Sequence, residues 1–136
     1  MSTEDNKAVS NRIAAAIAAH DFDTIDALVA PEFAAGLKQA LEEIYQAFPD
    51  FAGVNEIQVA EGDYVANHAK ATGTHRGEWM GIPPTGRQVV FETITIDEIR
   101  DGRLVNAAIV NNTEHLVEQL GARLRAEVVE DASPGG

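Results

Sequence analysis

The stretch RQVVFETITIDEIRDGRLVNAAIVNN, residues 87–112, decides the architecture of this chain. Two runs rich in β-branched residues flank Asp101-Gly102, and side chains in each alternate at the period of a strand, not of a helix. Asp-Gly between such runs marks a tight hairpin, because glycine takes up positive φ without steric penalty. The spacing predicts antiparallel strands over 87–100 and 103–112.

Toward the N-terminus the same period continues in YVANHAKATGTH (64–75) and VNEIQVA (54–60), which are separated by EGD. GTHRGEWMGIPPTG (73–86), with Gly73, Gly77, Gly81, Gly86 and Pro83-Pro84, connects two of the strands, and it reads either as a turn-rich connector or as the rim of a site. The first 48 residues have helical spacing instead. Val9, Ile13, Ala16 and Ile17 predict a helix from the Ser2–Asp5 capping signal to about His20. Ile25, Leu28 and Val29 predict a second helix with Asp23 as N-cap, halted near Pro31. Leu37, Leu41, Ile44, Tyr45 and Phe48 predict a third, which Pro49 ends. After the strands, Leu116, Leu120 and Leu124 share one face of an expected closing helix from Thr113 to about Leu124, followed by the acidic EVVEDASPGG. Helices, then antiparallel strands, then one helix make an α+β domain in which a curved sheet wraps around the N-terminal helices. The domain is expected over 1–125, with a flexible acidic tail over 126–136.

Composition narrows the function. Ten Lys and Arg against 22 Asp and Glu give a net charge of −12, which repels phosphate backbones and anionic lipid, so neither nucleic acid nor a membrane is the expected partner. The chain has no cysteine, and its four histidines show no HxH or HxxxH spacing, so no metal centre is expected. MSTEDNKAVSN (1–11) is polar and acidic where a secretory signal would be basic and then apolar. A soluble cytoplasmic protein is the expectation.

Five segments carry a family resemblance: APEF (30–33), FPDF (48–51), VAEGDYVA (59–66), ATGTHRGEWMGIPPTGRQVVFETITIDEIRDGRLV (71–105) and HLVEQLG (115–121). Together they resemble the SnoaL-like polyketide cyclases. The resemblance implies a cone-shaped α+β barrel, related in fold to ketosteroid isomerase and limonene epoxide hydrolase, that holds a small apolar or polycyclic substrate and assembles as a homodimer or homotetramer. It also implies ring closure by an intramolecular aldol reaction, using acid/base side chains and no metal or organic cofactor. The family's acid lies in the strand before the last helix, where members commonly read His-Trp-Asp. This chain has Ala107, Ala108 and Ile109 in that stretch and no carboxylate between Leu104 and Glu114. Neither alanine nor isoleucine can exchange a proton. Three readings remain open: the acid/base has moved within the cavity, the cavity works by shaping a reactive substrate, or the protein binds without reacting. Hydroxylation without a cofactor, which some family members perform, is a further enzymatic alternative to cyclisation or isomerisation.

Alternation supplies candidates for a relocated group. Val65, Asn67, Ala69, Ala71, Gly73 and His75 share the more apolar face of their strand, so Asn67 and His75 are the candidate catalytic residues on the cavity wall. Against this, His75 could brace the loop and Asn67 could satisfy backbone at a bulge. On the next strand Phe91, Thr93, Thr95 and Asp97 share the face expected to line the cavity, with both threonines able to hold a substrate oxygen. Asp97, close to the hairpin turn, reads as a solvated charge ahead of a catalytic one. If odd residues face odd across the hairpin, Val105, Ala107, Ile109 and Asn111 continue the wall. Asn111 can bond a substrate or, with Asn112 and Thr113, cap the last helix. Tyr45, Phe48, Phe51, Trp79 and Met80 complete the expected substrate-binding set as large surfaces for a planar ligand, with core packing the competing role. A cone plugged by Phe91 and Ile109 would leave no room for a substrate.

Overall fold

The computed structural model describes residues 2–125 and 128–131. Three helices precede the sheet: α1 (Thr3–Ala18), α2 (Phe22–Leu28) and α3 (Pro31–Ala47). Ser2 and Asp5 close a reciprocal capping box on α1. The N-cap of α2 is Asp21, not Asp23: its carboxylate accepts from the Thr24 N–H at 3.1 Å and the Thr24 hydroxyl at 2.6 Å. Pro31 does not merely halt α2. It occupies the first turn of α3, where its missing N–H would have no partner anyway.

Four strands follow, β1 (Ala52–Glu61), β2 (Tyr64–Thr74), β3 (Gln88–Arg100) and β4 (Arg103–Asn111), hydrogen-bonded in that order into one antiparallel sheet. Asp101 and Gly102, at φ +52° and +77°, make the tight turn between β3 and β4 that their sequence predicts. Odd faces odd across that hairpin, with Thr93 opposite Asn111, Thr95 opposite Ile109 and Asp97 opposite Ala107.

The closing helix α4 is shorter than its leucine spacing predicts. It spans Thr113–Gln119 and ends because Gly121 turns into the left-handed region at φ +80°, donating its N–H to the Glu118 carbonyl. Ala122–Arg125 then forms β5, paired antiparallel with β6 (Val128–Asp131), so Leu124 lies on a strand and part of the expected tail is paired. Residues 126, 127 and 132–136 of that tail lie outside the described residues.

Two apolar clusters sit at opposite ends of the inner face of the sheet. The first joins Val9, Ile13 and Ala16 of α1, Ile25 and Leu28 of α2, and Leu41 of α3 to Val65, Ile99 and Leu104. The second joins Phe48, Ile82, Val89 and Phe91 to Leu116, Val117 and Leu120. Reading inward positions along β3 gives Val89 and Phe91 in the second cluster, Ile99 in the first, and Thr93, Thr95 and Asp97 between them. Both ends of the cone are closed by packing, and its middle is left polar.

Candidate active site

Four side chains from three elements meet in that middle. Asn67 on β2 is buried, and its Nδ2 donates to Thr95 Oγ1 at 3.1 Å and to Asp97 Oδ2 at 2.9 Å. Ser10, buried on the inward stripe of α1, donates its hydroxyl to the same Asp97 Oδ2 at 2.8 Å. Strand pairing fixes Asn67 opposite Thr95, while helical spacing of Asn6, Val9, Ser10 and Ile13 aims Ser10 at the sheet.

Asp97 is therefore a partly buried carboxylate and not the solvated charge expected from its nearness to the turn. Burial pushes its pKa above the ordinary carboxylate value, since the charged form loses water, while hydrogen bonds from Ser10, Asn67 and Thr95 pull the other way without cancelling the rise. The Ser10 and Asn67 donors both fall on Oδ2, which leaves Oδ1 free of them. Among the described residues, the one fully buried side-chain polar atom without a partner is His75 Nε2. A carboxylate anchored through one oxygen, with its pKa raised by burial, can take up and return a proton at the other.

The neighbouring wall suits a ligand. Thr93 donates its hydroxyl to Asn111 Oδ1 at 2.8 Å, which orients the Asn111 amide and leaves its N–H groups available. Asn111 does not cap α4. Asn112 is the N-cap residue of α4, with its carbonyl accepting from the Leu116 N–H, but its side chain makes no capping bond and instead accepts from the Glu92 N–H at 3.0 Å. Ile109, 51% exposed, lies on this wall without filling it, and Phe91 is packed away at the aromatic end, 7% exposed. These two residues do not plug the cone together.

His75 stands elsewhere. From the level of Asn67 it is eight positions along β2 and just past its end, about 26 Å away at ~3.3 Å per residue, so the two expected catalytic residues do not share a centre. The ring is fully buried. Nδ1 accepts from the Thr85 N–H at 3.2 Å and lies 3.0 Å from the Thr85 hydroxyl, which closes the loop between Thr74 and Gln88. Burial lowers its pKa, so it is held neutral. The loop is further pinned by Arg76 and Gly77, whose N–H groups both donate to the Ala47 carbonyl at the end of α3.

The aromatic residues divide in the same way. Phe48, Phe51, Trp79 and Phe91 form one edge-to-face cluster, with centroids 5.0 Å apart for Phe48–Phe91 and for Phe51–Phe91. Tyr45 belongs to the helical end, stacked 3.6 Å from His20 and donating its hydroxyl to the Ile17 carbonyl at 2.7 Å. Met80 is exposed at the loop tip, at φ +51°. Thr93, Thr95, Ile109, Asn111 and Asn67 are thus the expected site residues that the structure brings together. Sequence reasoning missed Ser10 and misjudged Asp97. The available signal was a polar pair, Asn6 and Ser10, on the apolar stripe of α1.

Among the described residues no group of three or more His, Asp or Glu converges as a metal site, and no helix is long and apolar enough to cross a membrane.

Comparison with known proteins agrees with this fold. AclR of Streptomyces galilaeus, a candidate hydroxylase, superposes with a TM-score of 0.81 at 29% identity over 88% of this chain and 98% of its own. IdmH of Streptomyces antibioticus, a candidate polyketide cyclase, does so at 0.79 and 26%, over 85% and 98%. TsrD of Streptomyces laurentii shares the fold at 0.82 and 22%, over 89% and 98%. No curated protein sequence matches the chain. The family model for SnoaL-like polyketide cyclases matches residues 7–120, which is most of the chain and includes every side chain of the polar site. The chain belongs to the SnoaL-like polyketide cyclase family.

Proposed function

We propose that this protein is a cyclase or isomerase acting on a polyketide or another apolar natural-product intermediate, with Asp97 exchanging protons with the substrate and no metal or organic cofactor. The observation that carries the reading is the Asp97 carboxylate, anchored through Oδ2 by Ser10 and Asn67 with Oδ1 free of both, and raised in pKa by burial. As a base, Oδ1 removes a proton from the carbon next to a substrate carbonyl, and the electron pair passes to that carbonyl oxygen as an enolate. In cyclisation the enolate carbon bonds to a second carbonyl carbon of the same molecule, whose oxygen takes the proton back from Asp97. In isomerisation the proton returns to a different carbon. The Asn111 N–H groups are suited to the enolate oxygen, and the apolar ends of the cone keep bulk water from competing.

A second reading is favoured by the 29% identity to AclR. There the same carbanion adds its electron pair to dioxygen, which is reduced to a hydroperoxide as the carbon is oxidised, and a cellular two-electron reductant completes the alcohol. Both readings begin with proton removal by Asp97 and differ in the electrophile. Catalytic turnover by wild-type protein and Asp97→Asn, assayed on a panel of enolisable aromatic polyketides with product masses recorded, tests them. Ring closure leaves the mass unchanged or reduces it by water, and oxygenation adds oxygen. A wild-type protein that binds the panel without converting any member would instead make this a binding module.

The expected homodimer is supported by the outer face of the sheet. Two adjacent rows there carry Ile57, His68, Ile94, Val110 and then Val59, Ala66, Ile96, Ala108, with Ile94 and Ile96 47% and 48% exposed. A second copy laid over this band would take these exposed apolar side chains out of water.

A further inference from the structure

The hydrogen bonds around Asp97 extend beyond its immediate partners, in one direction. Asn55 Nδ2 donates to Asn11 Oδ1 at 3.1 Å, Asn11 Nδ2 to Gln58 Oε1 at 3.0 Å, and Gln58 Nε2 to Asn67 Oδ1 at 2.8 Å. Asn67 Nδ2 then donates to Asp97 Oδ2 at 2.9 Å. Four amides on three elements, β1, α1 and β2, point their N–H groups toward one carboxylate.

We propose that Gln58 is the positioning residue of this site, locking the Asn67 amide with its N–H groups turned to Asp97 and Thr95 and its carbonyl turned away. The proposal rests on the reading of Asp97 as the proton-exchanging group.

An amide has two nearly isosteric orientations, and only its partners choose between them. Asn67 lies between two kinds of partner. On one side Asp97 and Thr95 accept its N–H groups, and on the other Gln58 supplies an N–H that only the Asn67 carbonyl can receive. If the Asn67 amide turned over, its carbonyl oxygen would face Asp97 Oδ2 at hydrogen-bond distance. Two acceptors cannot bond without a proton between them, so Asp97 would be driven to its protonated form and would cease to be a base. The Gln58 N–H makes that state unfavourable by leaving its own donor facing an N–H. Gln58 is in turn oriented by Asn11, and Asn11 by Asn55, so the preference is set at the accessible edge between α1 and β1 and transmitted inward.

The groups that act on Asp97 are otherwise neutral. Ser10 comes from α1, Asn67 from β2 and Thr95 from β3 itself, and no charged side chain contributes to its shift. A change in Asn67 orientation is therefore read directly in the titration of Asp97, without a competing ion pair.

The test is carbon-detected NMR of the Asp97 carboxyl during a pH titration of the full chain, in wild type, Gln58→Met, Asn11→Ala and Asn67→Leu. Methionine keeps the length of Gln58 and removes its donor. We expect the Asp97 midpoint to move upward in Gln58→Met by about half a pH unit or more, and to move the same way but less in Asn11→Ala. In wild type the Asn67 side-chain N–H resonances should shift with the same midpoint as the Asp97 carboxyl, and that link should weaken in Gln58→Met. A titration midpoint unchanged in Gln58→Met, with Asn67→Leu moving it upward, would show that Asn67 holds itself and would overturn the proposal. Asn11→Ala, an exposed substitution, carries the test if Gln58→Met does not fold. Neither readout involves turnover. A shifted midpoint together with an Asp97→Asn protein that still converts substrate would uphold the positioning role and remove the catalytic one.

Discussion

Asp97 on β3 is paired directly opposite Ala107 on β4. Among the described residues, Asp97 is the carboxylate that Ser10 and Asn67 hold in the polar middle of the cone, one strand over from Ala107. A methyl group at 107 leaves room on the wall beside Asp97, and Ser10 and Asn67 supply the donors that hold the carboxylate in place.

The Asp97 carboxylate should work against stability. The pKa of Asp97 is raised in the folded protein above its unfolded value, so between the two values the folded state binds more protons. Its contribution is fully present below the unfolded pKa, near 3.8, and is lost as pH rises through the folded pKa. Asp97→Asn removes the buried charge and keeps a carbonyl to accept from Ser10 and Asn67. At pH 7 its melting temperature should exceed that of wild type by about 3 °C, and the gap should close toward pH 4. Calorimetry at the two pH values checks this, and a gap of equal size at both would contradict it.

His75 should give the opposite slope. Its pKa is lowered by burial, so its stabilising effect is present above the unfolded value of 6.5 and is lost as pH falls toward the folded value. Protonation at Nδ1 would break the contacts with Thr85 and put a charge beside the Phe48 ring, whose centroid is 5.5 Å away. The urea midpoint of wild type should drop between pH 7.5 and pH 5, with Trp79 fluorescence following the loop. In His75→Gln that drop should be smaller. Equal pH dependence in both proteins would mean that His75 does not control the loop.

The legibility of this protein followed the reach of its local rules. Strand alternation put Asn67, Thr93, Thr95, Ile109 and Asn111 on one wall, because period two survives whatever the strand packs against. The same rule placed Asp97 on that wall, yet nearness to the Asp101-Gly102 turn argued for exposure. What buries Asp97 is α1, through Ser10, and a contact between residues so far apart in sequence leaves no trace in either local pattern. The separation of His75 from Asn67 was hidden for a related reason. Shared parity with Asn67 suggested a shared site, but parity carries no information about distance along a strand. The helix ending at Gln119 was overestimated because leucine spacing continues past Gly121, whose positive φ ends the helix regardless.

The outer face makes its own test. Ile94 and Ile96 lie at the centre of the apolar band and contribute nothing to either core cluster, so charging them should leave the monomer folded. Sedimentation should show a dimer for wild type and a monomer for Ile94→Glu/Ile96→Lys, with unchanged circular dichroism. A wild-type monomer at tens of micromolar would refute the dimer.

Two glycines should respond in opposite directions to the same substitution. Gly77 sits where the loop meets the end of α3, and a Cβ there would overlap the Gln46 carbonyl oxygen, which belongs to backbone and cannot yield. Gly77→Ala must break the paired N–H contacts of Arg76 and Gly77 with the Ala47 carbonyl or displace α3, a loss of about 2 kcal/mol or more. Gly36 lies inside α3 on its exposed side, and a Cβ there meets nothing within 4 Å. Gly36→Ala should therefore stabilise the protein by about 0.5–1 kcal/mol, through helix propensity and reduced freedom of the unfolded chain. Denaturant titration of both variants measures the difference, and because Gly36 lies within α3 while Gly77 meets only its C-terminal end, with no contact between the two, the effects should add in the double variant. A Gly77→Ala protein as stable as wild type would mean that the loop does not depend on its anchorage to α3.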